Sequence, residues 1–205
     1  MADANGVVRS KSFEKTYVER RTAASLLALD GKNPAQGTEA QTSTFTLRTS
    51  MTNVAAAPGQ RLTFVLDFEM KRGMHAYAPG VSGYRPLGLK LDAHPLMTAH
   101  DPVFPPSKPF AFVPLKEAVP VFEGRFRVLQ DVTLAGGRDL GKTLEAPDPK
   151  IEITGSLEYQ VCNEDRCYPP GSLPLKWTIK LIPLDRERGG RQGQPLSYPR
   201  NSRSW

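Results

Sequence analysis

The chain has 205 residues, 39% of them hydrophobic and 23% charged, with a formal net charge of +6; this allows one packed domain with flanking segments and fits an ordinary soluble globular composition. The charge sits at the ends: residues 1–32 hold six Lys/Arg against four acids, residues 185–205 five against two, and the middle sixteen against fifteen. A near-neutral middle with no basic–aromatic interleaving argues against a nucleic-acid face, and with no apolar run of about 18 residues nothing here spans a membrane as a helix.

Glycine (17) and proline (19) are abundant, which favours a loop-rich, all-β body over a helical bundle. Residues 1–10 carry no apolar core of a secretory signal; taken literally, that predicts a cytosolic product. Asn5-Gly6 ahead of Val7-Val8 marks a short hairpin over 3–10. Phe13, Tyr17, Ala24, Leu27 and Ala28 recur at helical spacing over 12–30, with Ser12 as a start signal and Gly31 beyond the end. One hairpin and one helix bury no core of their own, so this piece must pack on something else. Residues 33–43, the bulk of the stretch GKNPAQGTEAQTS, lack large apolar side chains and read as a linker.

From Thr44 the period changes to two. Phe45 and Leu47 alternate with polar neighbours, as do Leu62, Phe64, Leu66 and Phe68. Val119, Val121, Phe126, Val128 and Val132 continue the pattern across a break at Glu123-Gly124. Ile151, Ile153, Leu157, Tyr159 and Val161 form another run, and Leu173, Leu175, Trp177, Ile179 and Leu181 the last. Such alternation predicts one buried and one wet face per strand, and seven or more short strands punctuated by Gly and Pro predict a two-sheet sandwich with Trp177 in its core. The segment 101–118 has five prolines and three phenylalanines without alternation; it reads as a loop or sheet-edge segment folded back on the body, or as a lid. Residues 185–205 lose all periodicity and read as a disordered basic tail.

The two cysteines stand in YQVCNEDRCYPP, Cys162 ending a strand pattern and Cys167 opening the return path beyond four polar residues. Facing positions at a hairpin mouth bring Cα atoms to about 5.5 Å, which suits a disulfide. A bridge closing so short a loop stabilises by only about 2 kcal/mol in the chain-entropy account, and an accessible, weakly stabilising bond has the properties of an exchangeable one. The residues leave three readings: a redox-active pair, a structural bridge, or metal ligation. The last is the weakest, because His75, His94 and His100 show no ligand spacing tied to the pair. Arg166 favours a Cys167 thiolate, whereas Glu164 and Asp165 oppose it.

The motif YQVCNEDRCYPP, followed by a Leu/Trp-containing strand, resembles the active-site hairpin of the N-terminal domain of the thiol:disulfide interchange protein DsbD, and RGMHAYAPG resembles that domain's aromatic strand beside the cysteines. The resemblance covers residues 44–184. It implies an immunoglobulin-like β-sandwich and an electron carrier reduced by a membrane electron-donor domain and reducing thioredoxin-like proteins outside the cytoplasm, in the periplasm. It further implies that Cys167 forms the mixed disulfide and Cys162 resolves it. Tyr77 matches an aromatic near the pair, and His75 stands where the family often has a second tyrosine. Phe110, Phe112 or Leu115 is the expected shield over the cysteines, with Tyr159, Tyr168 and Pro169 flanking them. The family's acidic cap residues are not evident here. A second resemblance, of residues 1–32 to the last strands and final helix of a thioredoxin-like or peroxiredoxin-type domain, implies that the chain is the end of a longer protein. The expected chemistry, thiolate attack and mixed-disulfide transfer, requires no metal or organic cofactor; the alternative is a non-enzymatic binding or scaffold domain with a structural disulfide.

Overall fold

The run RLTFVLDFEM becomes the central strand of the larger sheet. In the computed structural model, residues 27–28, 37–112 and 117–183 are described. The first sheet comprises β1 (Gly37–Gln41), β2 (Phe45–Met51), β4 (Arg61–Met70), β7 (Met97–Ala99) and β10 (Arg125–Leu134), in the order β1-β2-β4-β10-β7. The second holds β3 (Ala55–Ala56), β6 (Gly88–Leu91), β11 (Lys150–Tyr159) and β13 (Gly171–Leu181), in the order β3-β13-β11-β6. All pairings are antiparallel except that of β13 with β3. The architecture is an all-β, immunoglobulin-like sandwich. One short helix, α1 (Gly137–Leu144), connects β10 to β11.

The inward residues of the two large sheets make one core. From the first come Phe45, Leu47, Leu62, Phe64, Leu66, Phe68, Val128 and Val132; from the second come Ile151, Ile153, Leu157, Leu175, Trp177, Ile179 and Leu181. Phe64 stacks on Trp177 across the interface, with ring centroids 4.2 Å apart. Each such burial is worth about 1.5–3 kcal/mol relative to exposure, so the alternating side chains are the main attraction between the sheets.

Alternation does not leave every second residue wet. Thr63 and Val65, on the outer face of β4, are as buried as the inward residues. Val65 lies opposite Leu129 on β10, and the helical pair Leu27–Ala28 brings Ala28 onto both. Arg127 Nη1 donates to the Ala28 carbonyl at 3.0 Å and its guanidinium pairs with Asp67 on β4 at 2.6 Å. On the other side of Val65, Thr63 Oγ1 donates to Asp131 at 2.5 Å, and Arg61 pairs with the same carboxylate at 2.8 Å. The outer face is therefore an apolar pair between two charged pairs.

Two further differences from the sequence pattern concern elements without an apolar repeat. Residues Gly37–Gln41, inside the expected linker, form β1 and pair with β2 over five positions. Backbone hydrogen bonds and the Arg48–Glu39 ion pair hold them without apolar side chains. Helix α1 buries only Leu140, so it presents no apolar repeat to read. The hairpin over 3–10, most of the helix over 12–30 and the tail over 185–205 lie outside the described residues.

Candidate functional site

A third, smaller sheet carries the cysteines. It consists of β5 (His75–Tyr77), β8 (Lys108–Phe112), β9 (Glu117–Glu123) and β12 (Val161–Cys162), in the order β12-β5-β9-β8. Strand β9 runs on into β10 through Gly124, whose φ of 63° is open to glycine at little steric cost. This joins the small sheet directly to the large one. The Pro-rich segment supplies the edge strand β8, with Pro109 opposite Pro120 of β9. An edge is where a strand tolerates the missing donor of proline.

Cys162 and Cys167 are disulfide-bonded, with Cα atoms 3.9 Å apart. The reason is local. Asn163 N donates to the Arg166 carbonyl and Tyr168 N to the Val161 carbonyl, each at 2.9 Å. The cysteines between these contacts form a non-hydrogen-bonded antiparallel pair, the pair type in which backbones approach closest. Asn163 Oδ1 accepts from the amides of Asp165 and Arg166, which tightens the turn. The two sulfurs differ in environment: Cys162 is buried at 2% exposure, whereas Cys167 is exposed.

Sheet register brings to the pair residues that are far away in sequence. Cys162 lies opposite His75 on β5, and His75 lies opposite Glu123 on β9. Directly paired residues share a face, so Cys167, Cys162, His75 and Glu123 form a row across the sheet. The next positions on that face are Tyr77 and Val121, with Val119 and Phe110 beyond; Tyr77, Val119, Val121 and Cys162 pack as one buried cluster, and Val81, Tyr84 and Phe110 lie against it. Tyr77 Oη is 3.7 Å from Cys167 Sγ, and its ring stacks on Tyr84 at 4.3 Å. Phe110 lies on the His75 ring at 4.1 Å. Burial raises the Tyr77 pKa, with Tyr84 adding to the effect, so the phenol keeps its proton at neutral pH. Burial lowers the His75 pKa against the opposing pull of Glu123 and Glu164.

The expected site residues divide accordingly. His75, Tyr77 and Phe110 gather on the cysteine face. Tyr168 flanks it, half-buried, with the Arg166 guanidinium 5.0 Å from its ring centroid. Pro169 is exposed. Tyr159 turns to the main core: its ring meets Phe45 edge-on at 4.9 Å and lies over Gly171, where a Cβ would come within 2.5 Å of it. Leu115 and the side chain of Phe112 lie outside the described residues. His94 and His100 serve elsewhere, His94 Nδ1 accepting from the Leu96 amide and His100 bonding Thr133. No linear spacing ties His75 to the cysteines; the β12–β5 pairing sets it opposite Cys162.

Beside His75 a cavity of about 240 Å³ opens, its lining including Met74, Lys108, Phe110, Glu123 and Glu164. Lys108 and Glu123, both in this lining, form an exposed ion pair at 2.7 Å. Among the described residues, no helix is long and apolar enough to cross a membrane.

Residues 43–174 match the family described as thiol:disulfide interchange protein DsbD, N-terminal. Among solved structures, the N-terminal periplasmic domain of ScsB from Proteus mirabilis is similar, at 12% identity and a TM-score of 0.44, over 72% of this chain and 52% of that chain. The chain thus spans about half the length of that structure. No curated protein matches the chain.

Proposed function

The chain belongs to the family of the N-terminal domain of thiol:disulfide interchange protein DsbD, and on that premise we propose that Cys162 and Cys167 relay electron pairs between a membrane electron-donor domain and thioredoxin-like proteins outside the cytoplasm, in the periplasm. The observation that carries this reading is the unequal exposure of a disulfide at a hairpin mouth: Cys167 open, Cys162 buried. In the reduced protein the Cys167 thiolate attacks a partner disulfide. One partner sulfur leaves as thiolate and a mixed disulfide forms. Cys162 then attacks Cys167 Sγ, closes the internal bond and releases the second partner sulfur. Two electrons pass to the partner; the reverse sequence reloads the pair. Tyr77, Val119 and Val121 pack with Cys162, and Val81, Tyr84 and Phe110 lie against them, which limits the access of oxidants to the resolving sulfur.

The test uses the full chain and a purified thioredoxin-like protein with an active-site disulfide. Cys162→Ser is expected to accumulate the mixed disulfide through Cys167, and Cys167→Ser to form none while remaining folded. The midpoint potential, measured against a dithiol buffer, is expected above about −300 mV, the range of exchange proteins rather than of structural bridges. A lower potential, or equal trapping by both variants, would overturn the reading in favour of a binding domain with an inert bridge.

A further inference from the structure

Resolution of the mixed disulfide presents a problem that the exchange reading alone leaves open. Cys162 is buried at 2% exposure, and an apolar surround disfavours the charged thiolate relative to the thiol. A protonated thiol is a poor nucleophile, and water has little access to it. A base must therefore reach the sulfur from within the sheet.

We infer that His75 is that base: it takes the Cys162 proton as the sulfur attacks Cys167. This inference rests on the exchange reading and adds a residue to it. Three observations carry it. His75 is the direct cross-strand neighbour of Cys162 and shares its face. It is itself buried at 3% exposure. The cavity beside it provides a route by which the proton leaves.

The groups around His75 come from every element packed against it. On β12 is Cys162; from the following turn comes Glu164. On β9 is Glu123, paired with Lys108 of β8. Phe110 of β8 covers the ring, Tyr77 of β5 meets it edge-on at 5.8 Å, and Lys71 and Arg72 line the cavity before β5. Burial depresses the imidazole pKa, so the ring is neutral and able to accept at neutral pH. Glu123 and Glu164 favour the imidazolium once the proton has arrived.

The step balances without a further reactant. The Cys162 S–H bond breaks and its proton moves to the His75 nitrogen. The sulfur electron pair forms the Cys162–Cys167 bond, the Cys167–partner bond breaks, and the partner sulfur leaves with the electron pair. The imidazolium then returns its proton to the partner thiolate or to water in the cavity. In the opposite direction of electron flow the same proton returns to Cys162.

The experiment uses the full chain, reduced, freed of reductant and mixed with one equivalent of dithiodipyridine. The first thiopyridone released reports attack by Cys167; the second reports resolution by Cys162. In His75→Gln the first phase is expected to be unchanged and the second slowed about 10-fold or more near neutral pH. The gap should narrow in alkaline solution, where the thiol ionises without help. Independently of the variant's folding, the second phase of the wild type should rise as imidazole deprotonates, below about pH 6.5, and then level off. A second phase equally fast in the variant, slowed by one factor at every pH, or climbing in proportion to hydroxide through neutrality in the wild type overturns the inference and leaves the relay standing. A wild type that never releases the second thiopyridone removes both.

Discussion

The phenol oxygen of Tyr77 lies 3.7 Å from Sγ of Cys167, 90 residues further along the chain. Because the bonded sulfur has no proton, the phenol is the donor, and in the reduced protein it donates to the thiolate. Hydrogen bonding to the charged form lowers a thiol pKa. Tyr77→Phe is therefore expected to keep the fold, since the ring remains stacked on Tyr84. It should slow alkylation of reduced Cys167 at neutral pH by a factor of about 2–5, the scale of one weak hydrogen bond. Iodoacetamide kinetics as a function of pH measure both quantities.

The bridge itself should contribute little to stability. Cys162 and Cys167 are five positions apart, and closing so short a loop is worth about 2 kcal/mol. The core does not depend on it, because β12 is held to β5 and the hairpin by backbone hydrogen bonds. Thermal unfolding with and without a reducing agent is expected to show a small lowering of the midpoint and an intact cooperative transition. A collapse on reduction would identify the bridge as structural.

Removal of Asp131 should cost far more. Its carboxylate accepts from Arg61 Nε and Nη2 and from Thr63 Oγ1, and the Arg61 side chain is only 12% exposed. Asp131→Ala leaves that guanidinium desolvated beside an empty position. The expected loss is about 3 kcal/mol, measured as a shift in urea midpoint at constant slope. Asp131→Asn, which can still accept from Thr63, should lose less.

Stability should also fall on the acid side of neutrality because of His75. Its folded pKa lies below the ordinary value, chiefly because of burial. Above about pH 6.5 the ring is neutral in both states and nothing is lost. As pH falls from there towards the lowered folded value, the unfolded chain binds a proton that the folded one does not, and stability declines. Urea midpoints of wild type and His75→Gln between about pH 7.5 and 5.5 are expected to show a steeper decline in the wild type. Equal slopes would contradict this assignment.

The main core was legible because its side chains repeat. Leu62, Phe64, Leu66 and Phe68 sit every second residue on β4, Trp177 and Ile179 likewise on β13, and the sheets pair them face to face. The cysteine hairpin was legible for a related reason, since four polar residues between two cysteines leave few other ways to turn. What escaped lacked a local signature. Helix α1 has one buried residue, and β1 is held by backbone pairing and an ion pair rather than by apolar side chains. The burial of Val65 depends on Ala28, 37 positions earlier, and cannot be inferred from β4 itself. The position of His75 beside Cys162 depends on strand register: a shift of one residue in the β12–β5 pairing would turn it to the opposite face.

The cover that Ala28 provides over Val65 and Leu129 has a practical side. A recombinant fragment cut at the start of the family match, residue 43, would discard that lid and leave two aliphatic side chains wetted between the Arg127–Asp67 and Arg61–Asp131 bridges. Such a fragment would keep its cysteine hairpin but gain an adhesive back, so self-association in a truncated preparation would reflect the choice of cloning boundary rather than the biology of the hairpin.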